Sequence, residues 1–367
     1  MKKKILLITP RSSFGGAPKH IDILIKNLSD KFDFYFASPL QEPYGISWYN
    51  FLGKDRFCEI PYRSFSIKSL FKLALFIKKE NVDIIHAHGK GAALYARLVR
   101  LLIPKTKVIY TLHGLHIEQY NKFEKASYLL LEKFLALFTD LFINVSEGER
   151  AGCLKYKLFS AGKSKVIYNA IEDVQSITGN KYFIRKQLNL PVDKFIIVTI
   201  TRFDYQKNME EMINIAEKLK TNEEILFLWV GDGESKNKII EIIEEKKLNN
   251  VLMPGYKSNI MDYLTASDLY LSNSRWEGLP YSLIEACLAS LPIVATNVVG
   301  NNEIVKDNYN GRLFIPGDYN LALRIIKEIY TDSELLIKYS ENSRQMFLEN
   351  FQLDKMLTKI DEVYRKL

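Results

Sequence analysis

Apolar residues in this chain fall into two alternating kinds of run. Short continuous runs, such as Ile5-Leu6-Leu7-Ile8 and Phe195-Ile196-Ile197-Val198, have the length of buried strands. They predict strands at 4–9, 32–37, 83–86, 107–111 and 141–145, and again at 166–168, 195–200, 225–230, 250–253, 269–272 and 292–295. Amphipathic stretches lie between them, at 17–28, 208–220, 235–247, 281–289 and 333–349. Strands alternating with helices predict parallel sheets built from βαβ units, an α/β protein. The pattern restarts near Phe195 after a polar stretch over 171–194, which reads as the linker. Two similar halves are expected, with ligands at the carboxyl ends of the strands in a cleft between them. Leu353 to Leu367 is amphipathic and is expected to cross back to the first half.

A length of 367 residues suits two domains with a core each. The apolar runs are far too short to span a bilayer. Met1-Lys2-Lys3-Lys4 followed by a short apolar run resembles a signal peptide, but the run stops at Pro10-Arg11, so a first strand is expected. Three widely spaced cysteines, Cys58, Cys153 and Cys287, form neither a disulfide framework nor a metal knuckle and point to a reduced cytosol. Net charge is +8 but unevenly shared: residues 1–180 hold 27 Lys+Arg and 16 Asp+Glu, and residues 181–367 hold 24 and 27. A basic first half is either a solvated surface or a face for a polyanion. Lysines interleave with apolar residues over Ser66–Lys79 and Tyr120–Phe138. Such stripes usually face a core; the sharper reading is contact with an anionic membrane. No nucleic-acid motif is visible.

The densest chemistry lies in Ser274-Arg275-Trp276-Glu277-Gly278-Leu279-Pro280, followed by a helix-like run with Glu285. Glu277 is expected on a loop at a helix N-terminus, where free N–H groups favour anions. Glu285 follows about two turns on. One carboxylate can hold a sugar and the other a ribose, while the free amides meet a phosphate. Thr201-Arg202-Phe203-Asp204-Tyr205-Gln206-Lys207-Asn208 follows the predicted strand 195–200. Arg202 offers a fork of donors and Lys207 a point charge, a pairing suited to a diphosphate. Gly15-Gly16 stand where a first strand gives way to a helix and allow close backbone approach, without forming a dinucleotide fingerprint. Val230-Gly231-Asp232-Gly233 is either a nucleotide approach or a tight turn, and Tyr256 follows a strand end, beside the expected base. His113 ends a strand, where it can bond a sugar hydroxyl. His86 and His88 share one strand face, but no third ligand supports a metal, so a core or cleft role is expected and no metal site.

Together these residues resemble the retaining glycosyltransferases of the GT-B fold, in particular family four (group 1). The resemblance runs through Phe14-Gly15-Gly16, His86-Ala87-His88, Thr111-Leu112-His113-Gly114, Val166 to Ala170, Arg202 with Lys207, Val230 to Gly233, and Glu277 with Glu285. It implies two Rossmann-like domains facing a central cleft: 1–170 for the acceptor, 171–350 for a nucleotide-sugar donor, and 351–367 as a terminal helix. It implies that Glu277 contacts the donor sugar and Glu285 the ribose. Arg202 and Lys207 would neutralise the diphosphate, helped by the Gly16 amide and the Gly278-Leu279 backbone, and His113 would lie by the donor sugar. No cofactor or metal is expected, because the two cations replace it at the leaving phosphate. The expected activity moves a sugar, most readily from a UDP-sugar with GDP-mannose second, to a lipid-linked glycan in bacterial surface polysaccharide synthesis. The place would be the inner face of the cytoplasmic membrane.

The sequence departs from the family pattern in its loops. Thr201 stands where glycine often precedes the arginine, and Asn208 where glycine often follows the lysine. Ser290 precedes Leu291-Pro292 without the usual glycine, and Gly300-Asn301-Asn302 has one glycine where two are frequent. Two rivals remain: a nucleotide-sugar epimerase of the same fold, and a non-catalytic sugar-binding or scaffold protein. The second is disfavoured because a scaffold does not require Arg202, Lys207, Glu277 and Glu285 together.

Overall fold

Burial on both faces explains why the strands read as unbroken apolar runs. Ile5, Leu6, Leu7 and Ile8 are fully buried in β1 (Lys4–Ile8), as are Ile196, Ile197 and Val198 in β8 (Phe195–Arg202). The computed structural model describes residues 2–115, 117, 119–174 and 180–367. The chain divides into two compact units, Met1–Asn169 with Asp354–Leu367, and Ala170–Leu353.

In the first unit β1 is flanked by β2 (Asp33–Ser38) and β4 (Ile84–His88), with Ile5 opposite both Phe34 and Ile84. Adding β3 (Phe57–Glu59), β5 (Lys107–Thr111), β6 (Leu141–Asn144) and β7 (Ser164–Val166) gives the order β3-β2-β1-β4-β5-β6-β7 among the described residues, all parallel. The order reverses between β1 and β4. A helix over Leu353–Lys366 carries this unit's second segment. Its Tyr364 is fully buried against Phe32, with ring centroids 5.2 Å apart, and its hydroxyl lies 2.7 Å from His86 Nδ1.

In the second unit β8 lies between β9 (Ile225–Asp232) and β11 (Leu269–Ser272), with Val198 opposite Leu228 and Tyr270. With β10 (Val251–Gly255), β12 (Ile293–Thr296) and β13 (Gly311–Phe314), the order is β10-β9-β8-β11-β12-β13, again parallel. Here the reversal falls between β8 and β11. Pro254, which cannot donate to a ladder, is confined to the edge strand β10. Each unit has its own apolar core.

Three expectations are corrected. β3 and β13 lie outside the expected strands: one is a three-residue edge, Phe57-Cys58-Glu59, and the other, Gly311-Arg312-Leu313-Phe314, hides a strand behind a glycine and an arginine. The strand expected at 166–168 lies at Ser164–Val166. The stretch 171–194 is more than a linker. It carries a helix over Lys181–Gln187 whose buried Arg185 binds Asp268 at 2.6 Å and the carbonyls of Ala266, Val192 and Lys194. That desolvated arginine is what anchors a polar segment to the domain. Residues 175–179 of that stretch lie outside the described residues.

Candidate active site

The richest constellation sits at the carboxyl ends of β8 and β11, the switch point of the second sheet, where open α/β sheets bind ligands. Beyond Arg202, the chain makes one 3₁₀ turn over Tyr205–Lys207, capped by Asp204, whose carboxylate accepts from the Lys207 N–H at 3.3 Å. The turn aims Lys207 at the loop after β11. There Lys207 Nζ lies 2.5 Å from Glu277 Oε1. Arg202 Nη2 lies 3.0 Å from Asp204 Oδ2 and donates to Gln206 Oε1 at 3.3 Å. Gln206 in turn donates to the Trp276 carbonyl at 2.9 Å and to Glu277 Oε2 at 3.3 Å. The two segments are also laced by their backbones, Arg275 N to Gln206 O at 2.8 Å. Arg202, Lys207 and Glu277 are therefore one network joined by Gln206.

Glu277 and Glu285 are both buried. Glu277 is in the loop, and Glu285 is in the second turn of the Tyr281–Leu288 helix. Tyr270 of β11 feels the charge of both. Its hydroxyl donates to the Ile200 carbonyl at 3.0 Å, and burial drives its pKa up, with Glu285 and Glu277 pushing the same way. A buried hydroxyl in the field of two carboxylates thus stays protonated.

Glycine matters most at Gly300, where φ is +86° and an added Cβ would collide with the Gly278 carbonyl oxygen. This contact seats the Gly278-Leu279 segment expected to face a phosphate. The close approach of Gly231 is to Thr201, whose carbonyl oxygen leaves no room for a Cβ there. Tyr256 stands half exposed just beyond β10. Two departures from the family pattern become legible: Asn208 and Ser290 both adopt left-handed backbone, φ +53° and +57°. They keep the conformation that glycine would adopt without strain. Asn208 is held there by Glu211, which accepts from its side-chain amide and from the Gly317 N–H.

Gly15, Gly16 and His113 lie in the first unit, at the ends of β1 and β5. Gly15 caps the Gly16–Leu28 helix with an extended backbone. His113 is left-handed at φ +59°, and its neighbour Gly114 donates its N–H to buried Glu149, whose other oxygen accepts from Val145 N at 2.8 Å. His113 Nε2 lies 3.0 Å from His88 Nδ1. His20, His86 and His88 pack ring against ring beside it, with centroids 4.1 to 5.4 Å apart. Among the described residues no three His, Cys, Asp or Glu side chains are grouped so as to hold a metal ion. Sequence reasoning misses Gln206, Asp204, Tyr270 and Glu149. Asp204 had a signal, an Asp three residues before Lys207 at a turn start. Gln206 had none, since its role depends on a loop 70 residues away.

Two Rossmann-like units with parallel sheets give the chain the GT-B fold. The solved structure of Anabaena Alr3699/HepE in complex with UDP and glucose superposes with a TM-score of 0.86 at 20% identity, covering 100% of both chains. The family model Glycosyltransferase Family 4 matches residues 14–175, and Glycosyl transferases group 1 matches residues 180–346. The chain belongs to this glycosyltransferase family. A relative from Escherichia coli, UDP-Gal:alpha-D-GlcNAc-diphosphoundecaprenol alpha-1,3-galactosyltransferase, is 29% identical over 81% of this chain and 79% of its own. The capsular polysaccharide biosynthesis glycosyltransferase CapH of Staphylococcus aureus is also 29% identical, over 82% and 83%.

Proposed function

We propose that this glycosyltransferase moves a sugar from a UDP-sugar to a lipid-linked glycan, with retention of configuration, in the assembly of a bacterial surface polysaccharide. The observation that carries the reading is the Arg202–Gln206–Lys207–Glu277 network at the switch point of the second sheet. It sets Lys207 against a buried carboxylate and ties Arg202 to the same carboxylate through Gln206. As the glycosidic bond breaks, negative charge gathers on the β-phosphate, and preorganised cations stabilise that charge best in a site shielded from water. The C1–O bond to the phosphate breaks as the acceptor oxygen bonds to C1 on the same face. The acceptor proton passes to the departing phosphate oxygen. Glu277 orients the sugar hydroxyls, Glu285 holds the ribose and His113 assists at the sugar. Arg202 and Lys207 meet the charge requirement, so no metal or other cofactor is invoked.

The choice of a uridine donor and an undecaprenol-type acceptor draws on the E. coli relative, and the polysaccharide context on that relative and CapH. The Anabaena structure, a complex with UDP and glucose, supports a uridine nucleotide. The basic first half favours work at an anionic membrane on its cytoplasmic side.

Thermal unfolding against UDP, GDP, ADP and their sugars, in the presence of a chelator, tests the donor site. The expected result is a shift with uridine nucleotides that Arg202→Ala and Glu285→Ala abolish. A shift confined to GDP would replace the donor base. No shift with any nucleotide, from a protein that melts cooperatively, would overturn the transferase mechanism and favour the scaffold reading. An epimerase would interconvert the UDP-sugar without acceptor.

A further inference from the structure

The helix over Lys122–Leu135 packs Leu129 and Leu135 toward the core but leaves a second apolar stripe uncovered. Only Glu132 and Leu135 are buried in it. Glu132 faces inward to a bidentate ion pair with buried Arg97, at 2.8 and 3.0 Å, and Lys125 covers the Tyr156 ring at 4.8 Å. The opposite stripe is apolar and open to solvent. Phe123 is 87% exposed, Leu130 71%, Phe134 56% and Leu137, just beyond the helix end, 71%. Their spacing of seven, four and three residues puts them on one face at 3.6 residues per turn, a line roughly 20 Å long at 1.5 Å per residue. An apolar stripe of this helix is thus turned away from the core, while Leu129, Leu135 and the desolvated Arg97–Glu132 pair hold the inward side. Exposed aromatic and leucine side chains in a contiguous line mark a docking surface.

We infer that this stripe is a shallow insertion face for a lipid bilayer bearing anionic headgroups. Charge complementarity selects this occupant. Lys122 and Lys133 are exposed on one flank of the stripe. The Ile67–Glu80 helix, which packs on the Lys90–Leu102 helix that supplies Arg97, repeats the device. Its Ile67, Phe71 and Leu75 are exposed at four-residue spacing, with Lys68, Lys72 and Lys79 exposed among them. Apolar side chains with lysines alongside them match the boundary between acyl chains and acidic headgroups. A second copy docking by the same face would set lysine against lysine. The inference rests on the membrane contact proposed above and names the residues that make it.

The test is co-sedimentation of the full chain with phosphatidylglycerol-containing vesicles and with pure phosphatidylcholine vesicles. The wild type should bind the anionic vesicles. A Phe123→Ser/Leu130→Ser/Phe134→Ser variant should lose about tenfold or more of that partitioning, since each inserted side chain contributes buried apolar area. Its UDP-induced thermal shift should stay unchanged. Phe134→Trp should add a blue-shifted emission that brominated lipid quenches. Equal vesicle binding by the triple-serine variant, or emission from the Phe134→Trp variant that brominated lipid leaves unquenched, overturns the insertion face while leaving a membrane reading intact elsewhere. Absence of vesicle binding by the wild type overturns both, and an intact UDP shift would then keep the transferase reading. Self-association abolished by the serines, without vesicle binding, would make a second copy the occupant and overturn the inference.

Discussion

Lys207 Nζ and Glu277 Oε1 are 2.5 Å apart, joining the two segments of the candidate donor site through a pair with side chains only 15% and 8% exposed. The cation proposed for the diphosphate is thus held by the carboxylate proposed for the sugar. Each keeps the other satisfied until a donor arrives. Removing one partner strands a buried charge, which is costlier than removing both.

Lys207→Ala is therefore expected to destabilise the protein by about 2–4 kcal/mol, and Lys207→Ala/Glu277→Ala by clearly less than the sum of the singles. Turnover in either single variant should fall by roughly 10²-fold or more, because the charge proposed to stabilise the leaving phosphate or the group proposed to orient the sugar is gone. Urea melts of the four proteins and initial rates with the preferred donor check both. Additive destabilisation would show that the contact carries no coupling.

Two glycine-related positions predict changes of opposite sign. Gly300→Ala meets the Gly278 carbonyl in a backbone region closed to L side chains. It should cost about 1–3 kcal/mol and weaken donor binding by displacing the Gly278-Leu279 amides. Ser290 already pays for a left-handed φ of +57° outside the site. Ser290→Gly relieves that strain and should stabilise by about 1 kcal/mol, with kinetics untouched. Calorimetry and donor KM distinguish the pair. A destabilised Ser290→Gly would mean that the hydroxyl, not the backbone, matters there.

Much of this arrangement was legible beforehand, and its limits have physical causes. Strands buried on both faces announce themselves as apolar runs, which is why β1, β8 and β9 were readable to within two residues at each end. Phe57–Glu59 was not, because three residues on an edge carry no periodicity. Arg202, Lys207 and Glu277 were singled out by residue type and by their place after strands; the structure adds the distances and Gln206 between them. Periodicity reports that a helix has an apolar face but not which way the face turns. For Lys122–Leu135 the deciding fact was the Arg97–Glu132 pair, a contact between residues 35 apart.

Glu149 predicts an effect transmitted through His113. Its carboxylate accepts from the N–H groups of Gly114 and Val145 and fixes the left-handed turn that aims the histidine. Glu149→Ala leaves two buried N–H donors without it and should cost about 2–4 kcal/mol. If His113 acts at the donor sugar as proposed, a small misplacement of its ring should cost up to about 10²-fold in rate. The expected signature is a kcat loss larger than the KM change, partly rescued in Glu149→Gln. A variant that loses stability with unchanged kcat would confine Glu149 to a structural role.

The buried histidines predict a loss of stability in mild acid. His20 is held down to about 4 by burial, against the opposing hydrogen bond to Asn169 Oδ1. His86 and His88 lie well below the usual histidine range, by burial first and then by neighbouring rings. All three are neutral in the folded protein at pH 7 and regain an ordinary pKa near 6.5 when it unfolds. Below that value the unfolded chain binds more protons, so stability is fully present above about pH 6.5 and falls as the pH drops toward the folded values. Each group contributes a slope of about 1.4 kcal/mol per pH unit, so the three together should remove several kcal/mol between pH 6.5 and 5. Few carboxylates titrate in the upper part of this window, which makes the histidine contribution separable. Urea denaturation at pH 7.5, 6.5, 5.8 and 5.2 reads the slope directly. A flat profile from pH 7.5 to 5.2 would mean that the cluster accepts protons in place, and that these rings are hydrated rather than packed.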